Sequence, residues 1–556
     1  MHRLFGNKMG SSNCMNSGWP RYALALFVCA LFLFATGGTA KAQHEGHEPS
    51  GAIGWVPREL LERPVPLRQG IGKVHQEVTT KSPEAQAFYD QGLAYLHSFV
   101  WIEAARSFHQ ALRHDPSLAM AYLGLSDAYL GLSDVTAASA ACEKAQALAA
   151  NVSGIERARL AILARQIEYL QDSGNMQRYF AYRQSIADAL AAYPADPWLW
   201  IIRAFADEGS PVAHGQGGAI DTVAFYRTAL DLSPGNFVAH HYLAHTLESH
   251  GPMKDALEES ETYARLAPAI PHAHHMCGHN LRRAGRNEEA IQEFLKANDL
   301  EKAYYQTEHI PPQLDWHHPH NLQLLAMSYQ ALGQLKSAEA AYREAFALPA
   351  YVDFSAFNRK AWPEFLLDHG RTTEALAAAQ ELIDSQWAMA RFAGHTLAGR
   401  AYAATNRMPE ARSELTAAER ETEQLPVAVL ARLQDAVLLR AEIALREKDF
   451  AKGNALMEKI ESEIVKVPGP DAWNEALFQL EYISRVAREV GDWELAESAA
   501  NKMVVHDPSY GGGYLAEGLA EQHRSEMGAA KQAFATAERL WSKADPGLLR
   551  APSETP

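Results

Sequence analysis

The chain has 556 residues, 47% of them hydrophobic, enough to bury several cores or one long continuous one. Its formal charge of −16, with no long run of Lys and Arg, argues against a nucleic-acid binder. Four cysteines in such a length exclude a disulfide scaffold.

In chain order, the first element is a targeting segment. Arg3, Lys8 and Arg21 precede the apolar run YALALFVCALFLFATGG (22–38), and Ala40-Lys41-Ala42 offers small residues for cleavage. Residues 1–42 are therefore expected to be a signal peptide. The mature protein is then periplasmic or secreted, with no membrane attachment after cleavage. Residues 43–82, containing QHEGHEPS and the Pro-rich ERPVP, are expected to be an extended linker. His44 and His47 lie near its free end, where a two-His tail binds metal weakly.

From residue 83 the apolar residues take helical spacing and the sequence repeats itself. Gly92, Tyr95, Ala104, Phe108, Ala111 and Pro116 mark one unit. Ala244, Ala256 and Pro268 hold the same offsets in a second; Gly278, Ala290, Phe294 and Ala297 in a third. Ala326, Tyr329, Ala338, Tyr342 and Ala345 follow, and Gly518, Ala530, Phe534 and Ala537 close the series. This 34-residue pattern resembles the tetratricopeptide repeat (TPR), in which small residues sit where two antiparallel helices cross. The resemblance implies an all-α fold, a TPR-type right-handed α-solenoid of about twelve helix pairs with a concave inner face. N-terminal repeats span 83–236, degraded near 153–235 and interrupted by the loop HGQGG (214–218). His-rich repeats span 237–352, C-terminal repeats 353–542, and a tail 543–556.

Twelve of the 24 histidines fall between 240 and 320. His241 and His245 lie one turn apart on a single helix face, with Glu248 three residues on. Thirty-four residues after His241, the His-x-x-x-His spacing recurs as His275 and His279, with His272 one turn up and Arg282 below. The next repeat carries His320 beside Asn321. The stripe is expected on the concave face of adjacent first helices. Packed helices about 8–10 Å apart let imidazoles share an ion at bonds of about 2.0–2.1 Å. The expected ligands are drawn from His241, His245, Glu248, His272, His275, His279 and His320. Nitrogen and carboxylate donors without sulfur suit Zn, Fe, Mn, Ni or Cu. Cys277, on the other side of its helix, reads as packing. The Pro-containing joint YYQTEHIPPQLDWHHPHN (304–321) is expected to fold over this face, making Asp315 and His318 accessory groups. Lys360 and Glu364 read as a solvated polar groove.

These motifs are similar to those of a large group of exported bacterial TPR proteins. The match runs through His241, Tyr242, His245 and Glu248; His272, His275, Met276 and His279; and Pro319, His320 and Asn321. The resemblance implies that these positions form a functional centre, without naming a reaction. This chain departs from the group at Val100-Trp101, where Asn-His is usual, and at Cys277-Gly278, where Pro-Ser is usual.

Three functions follow. The first is a transition-metal centre, extending to a metal-dependent enzyme in which Glu248 acts as general base. The second is a scaffold holding a peptide or protein partner in the concave groove. The third is periplasmic metal storage or delivery, recruiting His44 and His47. No phosphate loop, dinucleotide fingerprint or nucleophile elbow is present.

Overall fold

A computed structural model describes residues 56–208, 219–350, 353–425, 434–467 and 469–546. The signal segment, His44, His47 and the loop 214–218 lie outside the described residues. Within them the chain is a succession of antiparallel α-helical pairs, with no strand.

The repeat consensus has a steric cause. A Cβ on Gly92 would meet the Phe108 ring at 2.5 Å, one on Gly278 the Phe294 ring at 2.7 Å, and one on Gly518 the Phe534 ring at 2.5 Å. Each first helix gives up a side chain so that an aromatic ring of the second helix can lie on its backbone. The turn within many of the pairs uses one left-handed residue. Gly285, Gly333, Gly370 and Gly491 supply it, as do Ser133, Asn406, Lys448 and Ser525. The first repeat places Phe99 there, at φ 59°, a costly choice for a bulky residue.

The helices that bear on the site are α1 (Pro83–Leu96), α2 (Trp101–His114), α3 (Phe237–His250), α4 (Met253–Leu266), α5 (Pro271–Arg283), α6 (Asn287–Glu308), α7 (His317–Ala331), α8 (Pro470–Val490) and α9 (Trp493–His506). Their starts are written locally. Asn236 accepts the amides of Val238 and Ala239 at the head of α3. Pro271 occupies the first turn of α5, where its missing N–H costs nothing. Asp315 accepts the His317 amide at 2.8 Å at the head of α7.

The two ends of the solenoid return to the His-rich repeats. Residues 56–82 are packed where an extended linker was expected: Leu60, Leu61, Val65, Ile71 and Val78 are buried. Their apolar side chains cover the first repeats, and Arg63 donates to the carbonyl of Glu308 at 2.6 Å. Arg106 of α2 reaches the Glu308 carboxylate at 2.9 Å. From the other side, Arg282 of α5 pairs with Asp507 at 2.7 Å and lies over the Trp473 ring of α8 at 4.9 Å. Trp541 donates to the carbonyl of Ala331 at 2.9 Å. The histidine stripe is thus covered by its own chain, and Lys360, expected in a solvated groove, is only 2% exposed, ringed by Asp435, Glu364 and Glu475.

Candidate metal centre

Three imidazole nitrogens converge first. The Nε2 atoms of His241 and His245 on α3 lie 3.1 Å apart; that of His272 on α5 lies 3.0 Å from one and 3.3 Å from the other. All three residues are buried. The protons are placed by what the far nitrogens touch. His241 Nδ1 is 2.8 Å from the carbonyl of His97, which can only accept. His245 Nδ1 donates to Glu248 Oε1 at 3.1 Å. A neutral ring carries one proton, so both Nε2 atoms present lone pairs to each other. Charging the rings is opposed: burial first, and the neighbouring histidines second, hold His241 and His272 well below the ordinary imidazole range. Nitrogens at this separation have the spacing that a metal ion's ligands need. Tetrahedral bonds of about 2.0 Å place ligand nitrogens about 3.3 Å apart.

A second cluster adjoins it. His275 and His279 on α5 and His320 on α7 each offer a nitrogen, all within 4.8 Å of one another. His275 Nδ1 is 3.0 Å from Asn321 Oδ1, while the Asn321 amide donates to the carbonyl of Phe294 at 3.0 Å. That second bond fixes the amide's orientation, so Oδ1 accepts and His275 Nε2 is left as a lone pair. His275 Nε2, His279 Nε2 and His320 Nδ1 are buried without a hydrogen-bond partner in the protein. Asp471 of α8 stands 3.8 Å from His320.

Glu248 joins the two clusters. One oxygen accepts from His245 and the other from His279, at 3.4 Å. Burial alone would raise this carboxyl, but the two imidazole donors hold it down at about 2. Its oxygens face the Nδ1 atoms, on the far side of the rings from the converging nitrogens. Glu248, expected among the ligands and as a candidate general base, bonds the Nδ1 atoms of His245 and His279 and so orients both rings.

The other expected residues are dispersed. Asn321 orients His275. Arg282 is spent on Asp507. Asp315 accepts from the Tyr305 hydroxyl at 2.5 Å and caps α7. His318 turns away to Asn298, at 3.0 Å. Cys277 is buried apart from both clusters, its thiol pushed up to about 12 by burial. His240 and His274, one repeat apart, bond Glu259 and Glu293 on the second helix of their own pairs, a structural use of histidine.

Several residues of the centre were not singled out from the sequence. Phe99 places its ring centroid 4.9 Å from those of His241 and His272, and Tyr263 of α4 stacks on His241 at 4.5 Å. Trp101 stacks on Trp316 at 5.8 Å. The departure from the group at Val100-Trp101 therefore leaves the first repeat in contact with the site. His317 lies between the clusters, its ring 5.0 Å from His272 and 4.5 Å from His275, with Nδ1 held by Glu301. The pair His317/His320 has the same i, i+3 spacing as His272/His275, a signal present in the sequence.

The tetratricopeptide repeat family matches residues 319–350, which include His320 and Asn321. Among solved structures, the chain is similar to yeast Tom70, at 12% identity and a TM-score of 0.37, covering 76% of this chain and 90% of that one. No curated protein matches. The fold is an α-solenoid of the TPR type, and no described helix is long and apolar enough to cross a membrane.

Proposed function

We propose that this TPR solenoid is an exported metalloprotein. It holds two transition-metal ions in adjacent three-histidine clusters, His241/His245/His272 and His275/His279/His320, that share Glu248 as the outer partner of one ligand in each. One observation carries the reading. Two imidazoles whose Nδ1 protons are already committed point their Nε2 lone pairs at each other, and at a third Nε2, within 3.0 to 3.3 Å. A cation at their centre would make that arrangement favourable for all three nitrogens at once. Neutral nitrogen donors without sulfur suit zinc, copper, iron or nickel better than harder cations. A bound ion of this kind supplies Lewis acidity or, with copper or iron, redox chemistry. A three-nitrogen set leaves a coordination position open, as in catalytic rather than structural sites, which favours an enzyme.

Storage is less well supported, since exchange needs accessible ligands and all of these but the half-buried His320 are buried. A peptide-gripping role for the stripe itself is opposed by the same burial. A protein partner elsewhere on the solenoid is compatible with the TPR fold. X-ray absorption of the metal-loaded protein tests the proposal. The expected first shell is nitrogen from three or more imidazoles at about 2.0 Å for zinc; sulfur in that shell would implicate Cys277 and contradict the assignment.

A further inference from the structure

Beside the first cluster lies a cavity of about 50 Å³, walled by Phe99, Val100, Leu132 and Leu314 and reaching His272, Glu301, Trp316 and His317. Those four residues each direct into their surroundings a buried polar atom that no protein group satisfies: His272 Nδ1, Glu301 Oε2, Trp316 Nε1 and His317 Nε2. His272, Glu301 and His317 are at most 6% exposed. Buried polar atoms left unsatisfied are few in any protein. Four of them on the walls of one cavity imply an occupant.

The donor set limits what that occupant is. Trp316 Nε1 only donates. His272, with Nε2 turned to the metal cluster, carries its proton on Nδ1 and also donates; this one donor rests on the metal reading above. Glu301 Oε1 and His317 Nδ1 share a hydrogen bond, and whichever atom holds its proton, Glu301 Oε2 accepts. The volume sets the size. One water needs about 10–15 Å³ and an enclosed benzene about 150 Å³, so this space suits two to four non-hydrogen atoms.

We propose that this cavity binds a small neutral molecule of two to four non-hydrogen atoms carrying both a hydrogen-bond acceptor and a hydroxyl or amide proton, as substrate or co-ligand of the neighbouring metal cluster. The acceptor takes the Trp316 and His272 protons, and the ligand's own proton goes to Glu301. Phe99 and Val100, in the turn of the first repeat, line the cavity.

Formamide is the probe: three non-hydrogen atoms, one carbonyl and an N–H donor. It is titrated into the metal-loaded protein and followed by tryptophan fluorescence and calorimetry. The proposal expects saturable binding. Trp316→Phe, which keeps the ring and removes the donor, should weaken it at least about fivefold. Val100→Phe, which fills the space, should abolish it; metal content should stay unchanged in both variants. No saturable binding, or equal binding in wild type and both variants, means a cavity for water only and overturns the proposal. A chain that takes up no metal yet binds formamide through Trp316 supports this cavity and contradicts the metal reading alone. A metal-loaded chain indifferent to formamide contradicts the cavity alone.

Discussion

At the scale of single residues, the centre is governed by where protons are placed. The His97 carbonyl and Asn321 each take one Nδ1–H and Glu248 takes two, which leaves each ring's other nitrogen as a lone pair able to bind a cation. Glu248 does this for both clusters, so one truncation should be felt at two sites. Glu248→Ala is expected to lower affinity for both ions by about 10–100-fold while leaving the helices formed. Competition against a chromophoric chelator measures this; an unchanged affinity would show that the carboxylate is incidental. The stripe itself was legible in the sequence, because a helix repeats its face every three or four residues and the repeat brings the pair back after thirty-four. Glu248's actual position was not. Helical spacing gives the face on which a side chain lies, but not which end of a neighbouring imidazole it meets.

At the scale of elements, the small-residue positions set how closely two helices approach. Gly278→Ala would put a Cβ 2.7 Å from the Phe294 ring. Helix propensity gains up to about 1 kcal/mol from that change, but overpacking costs about 1–3 kcal/mol. A net destabilisation of about 1–2 kcal/mol is expected, read as a lower urea midpoint at unchanged slope. The same reasoning explains why the repeats could be read from sequence: Gly92, Gly278 and Gly518 each leave room for a ring at a fixed offset. Phe99 could not be read that way. It occupies a turn position that other repeats give to Gly, Ser, Asn or Lys, and its partners His241 and His272 are far along the chain. Contacts between distant repeats leave no periodic trace. His317 is the intermediate case: its i, i+3 relation to His320 was visible, but the prolines before it obscured where the helix begins.

At the scale of the whole molecule, both ends of the solenoid clasp the histidine repeats. The Arg282–Asp507 pair is the most buried link to the C-terminal repeats, with side chains 1% and 4% exposed. Arg282→Ala would strand the Asp507 carboxylate in the interior, at a cost of about 3–5 kcal/mol. Hydrogen exchange should show α8 and α9 losing protection ahead of the other repeats; uniform loss, or none, would contradict the clasp. Acid should act on the metal-free protein as a whole. Burial holds His241, His272 and His275 well below the ordinary value of 6.5. Folded, they stay neutral where the unfolded chain takes up protons, so stability falls as pH drops below about 6.5. Each contributes about 1.4 kcal/mol per pH unit. Thermal unfolding of the apo protein between pH 7.5 and 5.5 should show this slope, and a flat profile would contradict burial of neutral imidazoles.

The account depends most on there being two ions held by two separable clusters. Metal content by mass spectrometry, on mature protein made without a histidine tag, tests that directly. Wild type should carry two equivalents, His272→Ala and His320→Ala about one each, and the double variant none. A wild type that takes up no metal after reconstitution, or variants that retain the full wild-type content, would contradict it.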